Sequence, residues 1–217
     1  MTAADRTMPL EAALAGLFPR GTAVAAEPIR MPGARLLPGE TAAVAGAVPA
    51  RRAEFAAGRA AARRALAGLG LPPVAVPAGP DRAPCWPEGV GGSIAHAAGI
   101  AVAAARLGPP LGLDIEDNAP LEPDLWPAIC SPRELAALPA GETGVRVRHV
   151  FAAKEAVYKM QYPLTGRLFG FELLEIALHP GGFTARLRER VGPFAEGRVF
   201  VGRLALAGSF VLAGVAP

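Results

Sequence analysis

The stretch GLDIEDN, Gly112 to Asn118, carries three acids within four residues: Asp114, Glu116 and Asp117. Apolar Leu111, Leu113 and Ile115 alternate with Gly112, Asp114 and Glu116, which is the period of a β-strand. Asp114 and Glu116 then point the same way, roughly 7 Å apart along the strand. Two neighbouring carboxylates repel each other. A hard cation such as Mg2+ relieves that repulsion by taking carboxylate oxygens as ligands, although a solvated strand end tolerates such a pair as well. A strand alone does not complete a metal site, so a further ligand has to come from elsewhere.

FAAKEAVYK, Phe151 to Lys159, offers that ligand. Glu155 and Lys159 stand at i and i+4 on one helix face, a spacing that suits a surface ion pair. It equally suits a carboxylate on a metal beside an ammonium on a phosphate. Lys154 lies about 100° round the helix from Glu155, within reach of a different phosphate. In GGSIAH, Gly91 to His96, Ser93 and His96 carry donors for phosphate oxygens. Arg52, Arg59 and Arg63 form a stripe that is either a solvated helix face or a cradle for a terminal phosphate.

These side chains need elements to hold them. RRAEFAAGRAAARRALAGLG predicts a helix from about Arg51 to Leu69, with Phe55, Ala62, Leu66 and Leu69 as its apolar stripe and Gly70, Pro72 and Pro73 as its stop. A short strand at Val74–Val76 and a loop rich in Pro and Gly follow. SIAHAAGIAVAAARLG predicts a strand pair, and PLGLDIED another strand. Ser131, Pro132 and Glu134 spell a capped helix start, and VRHVFAAKEAVYKM a second long helix with Val150, Ala153, Val157 and Met160 buried. After Gly170 four β segments succeed one another. Strands adjacent in sequence without crossover helices imply antiparallel sheets, hence an α+β fold. The order of helix then strands occurs twice, dividing near residue 108.

Composition narrows the class. The chain has 217 residues, 52% of them hydrophobic, enough for a core. No run approaches the ~18 apolar residues of a membrane span. The first 21 residues have acids among their apolar residues and no basic start, unlike a signal peptide. A cytoplasmic protein is expected. Cys85 and Cys130 are isolated, which argues against a zinc site or a disulfide framework. A net charge of +3 with two Trp and two Tyr gives no nucleic-acid footprint.

The order of motifs is more specific than any one of them. An Arg-rich helix precedes a P-x-W-P loop, then G-S-x-x-H, then G-x-D-x-E, then K-E-A-x-Y-K. From about Arg51 to Gly170 the chain resembles the 4′-phosphopantetheinyl transferases that serve siderophore, polyketide and non-ribosomal peptide synthesis. The resemblance implies two similar α/β subdomains in a pseudo-twofold arrangement, residues 1–108 and 109–217. Each would be a long helix on a small, mainly antiparallel sheet, with coenzyme A in the cleft between them. It implies transfer of phosphopantetheine to a serine of an apo acyl or peptidyl carrier protein, with release of adenosine 3′,5′-bisphosphate. It also implies Mg2+, or alternatively Mn2+, on Asp114, Glu116 and Glu155. Glu155 and Lys159 would act in the chemistry. Arg51, Arg59, Arg63, Arg82, Ser93, His96, Lys154 and Lys159 would contact coenzyme A. The chain departs from the family in having Ala95 and Ala97 on either side of the His, where polar residues are usual. The fused pattern favours a monomer. Rival readings are a Mg2+-dependent phosphohydrolase using the same acids, and an inactive carrier-binding module. The candidate carrier surface is MQYPLTGRLFGF, Met160 to Phe171, with Arg167 as a steering charge.

Overall fold

A computed structural model describes residues 3–30 and 33–217. The elements run α1 (Ala3–Gly16), β1 (Thr22–Pro28), α2 (Pro49–Gly68), β2 (Val90–Ala97), β3 (Ile100–Leu107) and β4 (Gly112–Asp117). Then come α3 (Trp126–Ile129), α4 (Pro132–Ala136), α5 (Thr143–Thr165), β5 (Leu174–His179), β6 (Gly182–Leu187), β7 (Val199–Ala207) and β8 (Phe210–Val215). The strands form two antiparallel sheets, β1-β3-β2 and β4-β8-β7-β6-β5. The fold is α+β, as the strand-after-strand order implies.

Each long helix covers a sheet. α2 lays Ala61, Ala62, Ala65 and Leu66 on Ala25, Ala103 and Ala105 of the three-stranded sheet. α5 lays Val150, Ala153, Val157 and Met160 on the five-stranded sheet, against Phe183, Ala213 and Val215. The sheets meet where β2 runs beside β4. There the Ser93 hydroxyl accepts from the Leu113 N–H at 3.1 Å and donates to the Leu113 carbonyl at 3.4 Å, taking the place of a backbone ladder.

Three elements differ from the sequence reading. α1 was not foreseen, and it packs on both halves of the chain, touching β1, β7 and β8. Its Leu10, Leu14 and Leu17 are buried with Leu111, Leu113, Ile115 and Leu212, each such leucine contributing about 2 kcal/mol. β1 was not foreseen either. The predicted strand at Val74–Val76 is absent. Val76 cannot join a ladder because side chains take both of its backbone groups: Glu40 accepts from its N–H and Arg59 Nε donates to its carbonyl.

The alternation along β4 explains how the acids are aimed. Leu113 and Ile115 face the α1 side, while Gly112, Asp114 and Glu116 face α5. Gly112 lets the helix come close, since a Cβ there would overlap the Ala156 carbonyl. Gly112→Ala should therefore push α5 off β4. We expect a loss of about 3 kcal/mol, roughly 10 °C in Tm, read by calorimetry. A native Tm would show that the helix has room to move.

Candidate active site

The close approach of α5 to β4 sets Glu155 and Lys159 of the helix over Asp114 and Glu116 of the strand. Opposite them stand Arg51 and Arg59 of α2, His96 of β2, and Arg82 of the loop before β2. All eight line one cleft of about 340 Å³. A larger cavity of about 850 Å³ lies elsewhere in the C-terminal half, bordered by Leu138, Ile176 and Leu206. It holds none of these residues, so chemistry rather than volume identifies the site.

The acids are held by cations. Lys159 Nζ donates to Asp114 Oδ1 at 2.6 Å, and Arg148 Nη1 to Glu116 Oε2 at 3.0 Å. Asp114 is 4% exposed, and its second oxygen, Oδ2, is buried with no hydrogen-bond partner among the described residues. Burial pushes the Asp114 carboxyl above its ordinary value against the pull of Lys159. Burial also raises Glu116, with Asp114 adding to it and Arg148 opposing. It raises Glu155 too, where Lys159 opposes and Asp114 adds. For Lys159 burial works downward, but the facing carboxylates outweigh it and hold the ammonium above its usual range. No group of three His, Cys, Asp or Glu side chains among the described residues has the spacing of a ready metal site. The Lys159 ammonium is the cation seated between the acids in this arrangement.

The basic side is equally ordered. Arg51 Nη1 lies 3.1 Å from Glu54 and 3.1 Å from His96 Nε2. A guanidinium only donates, so His96 Nε2 is the acceptor and the proton sits on Nδ1. Burial lowers the His96 pKa, with Arg51 and Lys159 adding to that and Glu54 opposing, which agrees with a neutral ring. Arg59 is 6% exposed, its guanidinium 3.9 Å above the Phe55 ring. Burial lowers it to about 10, still protonated at neutral pH.

Three of the residues expected to contact coenzyme A, Lys154, Arg63 and Ser93, do not line this cleft. Lys154 faces away from the cleft and is 1% exposed, donating to Glu134 at 2.9 Å and to the carbonyls of Ile129 and Phe171. Glu134 also closes the α4 capping box and accepts from the Ile176 N–H, so Lys154 is the centre of a buried structural knot. Arg63 does not line the cleft and gives its charge to buried Glu40 at 2.8 Å. Ser93 spends its hydroxyl on Leu113 and borders a neighbouring apolar cavity with Trp86 and Tyr158. The sequence reading also missed Arg148, Glu40, and the two aromatics in the cleft, Phe55 and Phe151. Arg148 stands three residues before FAAKE and seven, about two turns, before Glu155, and that helical spacing was the available signal. Glu40 had none.

In Met160–Phe171 the pattern is mixed. Met160 is buried, and Phe169 and Phe171 pack on the core. Leu164 and Leu168 are exposed, 43% and 74%.

A family model described as the 4′-phosphopantetheinyl transferase N-terminal domain matches residues 39–106, and one for the 4′-phosphopantetheinyl transferase superfamily matches residues 110–207. The 4′-phosphopantetheinyl transferase Svp of Streptomyces mobaraensis is 44% identical over 193 residues, covering 83% of this chain and 78% of that protein. PptT of Mycobacterium tuberculosis is 38% identical over 167 residues, 74% of each chain. Npt of Nocardia iowensis is 40% identical over 139 residues, 62% of this chain and 63% of its own. Two family matches that between them take in both faces of the cleft, and identities of this size over most of the chain, mean that it belongs to the 4′-phosphopantetheinyl transferase superfamily and is an enzyme of that activity.

Proposed function

We propose that the enzyme takes the phosphopantetheine group from coenzyme A and transfers it to a serine hydroxyl of an apo acyl or peptidyl carrier protein. It uses a divalent cation, Mg2+ or Mn2+, and releases adenosine 3′,5′-bisphosphate. Residues 1–108 and 109–217 act as the two subdomains that close this cleft. The observation that carries the reading is the polarity of the cleft. Asp114, Glu116 and Glu155 gather around Lys159 in one part of the cleft, and Arg51, Arg59 and Arg82 line the rest with a single acid, Glu54, paired to Arg51, an arrangement that suits a diphosphate with a further phosphate at its far end.

The acids fit a hard cation. Asp114 keeps a buried oxygen, Oδ2, with no hydrogen-bond partner among the described residues, a costly arrangement unless a ligand completes it. Glu116 and Glu155 add oxygen donors of the kind Mg2+ prefers. Bound there, the ion would offset the charge of the diphosphate and its developing negative oxygens. The protein's own groups do the rest. Arg51 and Arg59 bind the terminal phosphate of the nucleotide, with Arg82 near its base. Glu155, whose carboxyl is pushed up by burial, takes the serine proton. Lys159 neutralises the departing phosphate. His96, neutral with Nδ1 protonated, donates to a phosphate oxygen. The carrier docks on the exposed Leu164 and Leu168 with Arg167 attracting its acidic surface.

The test is the mass of the carrier. Incubation with coenzyme A, Mg2+ and an apo carrier should add one phosphopantetheine per carrier, and chelation of the metal should stop the gain. Hydrolysed coenzyme A with an unchanged carrier would overturn transfer in favour of a phosphohydrolase.

A further inference from the structure

Glu40 is a wholly buried acid, 0% exposed, outside any strand or long helix. Its oxygens accept four times: from Arg63 Nη1 at 2.9 and 2.8 Å, from the Leu37 N–H at 2.8 Å and from the Val76 N–H at 3.0 Å. The other side of residue 76 completes a relay, because its carbonyl accepts from Arg59 Nε at 2.7 Å. Arg59 and Arg63 are one turn apart on α2. One carboxylate thus governs two guanidinium groups in opposite ways. It takes Arg63 directly into a buried pair, and by holding the backbone of Val76 at its N–H it places the carbonyl that fixes the Nε of Arg59.

The consequence for Arg59 is geometric. With Nε tied to Val76 and the guanidinium plane lying over Phe55, the group has little freedom to rotate. Arg59 lines the cleft, and its terminal amino groups make no hydrogen bond among the described residues. We propose that Glu40 is a positioning residue for the anionic end of coenzyme A: it holds Arg59 in a binding orientation through Val76 and withdraws Arg63 from competition for the phosphate. This rests on Arg59 contacting the 3′-phosphate, as read above. A preset guanidinium binds a phosphate without losing rotational freedom at that moment, so the benefit falls on affinity.

The test compares binding of coenzyme A and 3′-dephospho-coenzyme A by titration calorimetry, together with KM and kcat, in four proteins. These are the native enzyme, Arg59→Ala, Glu40→Gln, and the double variant Glu40→Met with Arg63→Met. The double variant replaces both partners of the buried pair by apolar side chains, which spares the fold the cost of an unpaired charge. The native enzyme should prefer coenzyme A, and Arg59→Ala should lose the preference. In both Glu40 variants the preference should fall about tenfold, as loss of a charge-assisted contact predicts, with the change in KM rather than kcat. All are assayed below their own melting temperatures, and the double variant decides if Glu40→Gln does not fold. Lower Tm with an unchanged preference would reduce Glu40 to a tether for its loop and overturn the proposal. A native enzyme without any preference would overturn the Arg59 reading, and the Glu40 proposal with it.

Discussion

Asp114→Asn should lose transfer by at least about a thousandfold while its Tm near neutral pH equals or exceeds that of the native enzyme. The first half follows from the cleft, where Asp114 is more deeply buried than Glu116 or Glu155. The second follows from its burial. A carboxyl held above its ordinary value binds its proton more tightly in the folded chain than in the unfolded one. The folded state therefore loses stability as pH rises through the ordinary carboxylate range and beyond, and the ionised acid costs stability at neutral pH. Asn carries no such cost, so its advantage in Tm should grow from acid to neutral pH and vanish in acid. Added Mg2+ should raise the Tm of the native enzyme and not of the variant, a readout independent of turnover. Native turnover in Asp114→Asn would defeat the metal assignment.

Glu155→Gln and Lys159→Ala should each slow transfer at least about a hundredfold, as removal of a preorganised charge at a reacting centre does. Their side effects separate the roles. Glu155→Gln keeps the shape of the side chain, so it should melt within a few degrees of native, and its Mg2+ requirement should rise to higher concentrations. Lys159→Ala removes the donor 2.6 Å from Asp114. It should melt lower in the absence of metal, because a buried carboxylate is left unpaired. It should also bind Mg2+ more tightly, because the ammonium that competes for Asp114 Oδ1 is gone. Calorimetric titration with Mg2+ alone reads this directly. An ordinary helix-surface ion pair would be worth only about 0.3–0.5 kcal/mol and leave turnover intact. Near-native rates in both variants would return the pair to that status.

The acidic face was legible in the chain because it depends only on alternation. Any strand through Leu111–Glu116 puts Leu113 and Ile115 on one side and Asp114 and Glu116 on the other. The same holds for Glu155 beside Lys159, for the buried stripe of Val150, Ala153, Val157 and Met160, and for the capping box of Ser131 and Glu134. These are relations between residues a few positions apart, set by the period of the element that contains them. The assignment of cations to the cleft was of another kind. Arg59 and Arg63 differ by one helical turn and Lys154 and Glu155 by one residue, so nothing local distinguishes a phosphate ligand from a structural partner. Tertiary structure decided it: Arg63 meets Glu40 from 23 residues away, and Lys154 meets Glu134 from 20. Ser93 likewise finds Leu113 across the seam of the two sheets. Burying a charge or a hydroxyl without a partner costs more than any local preference returns, so Arg63, Lys154 and Ser93 go to whichever partner the packing brings. The missing strand at Val76 has the same origin, since Glu40 and Arg59 take the backbone groups that a ladder would use.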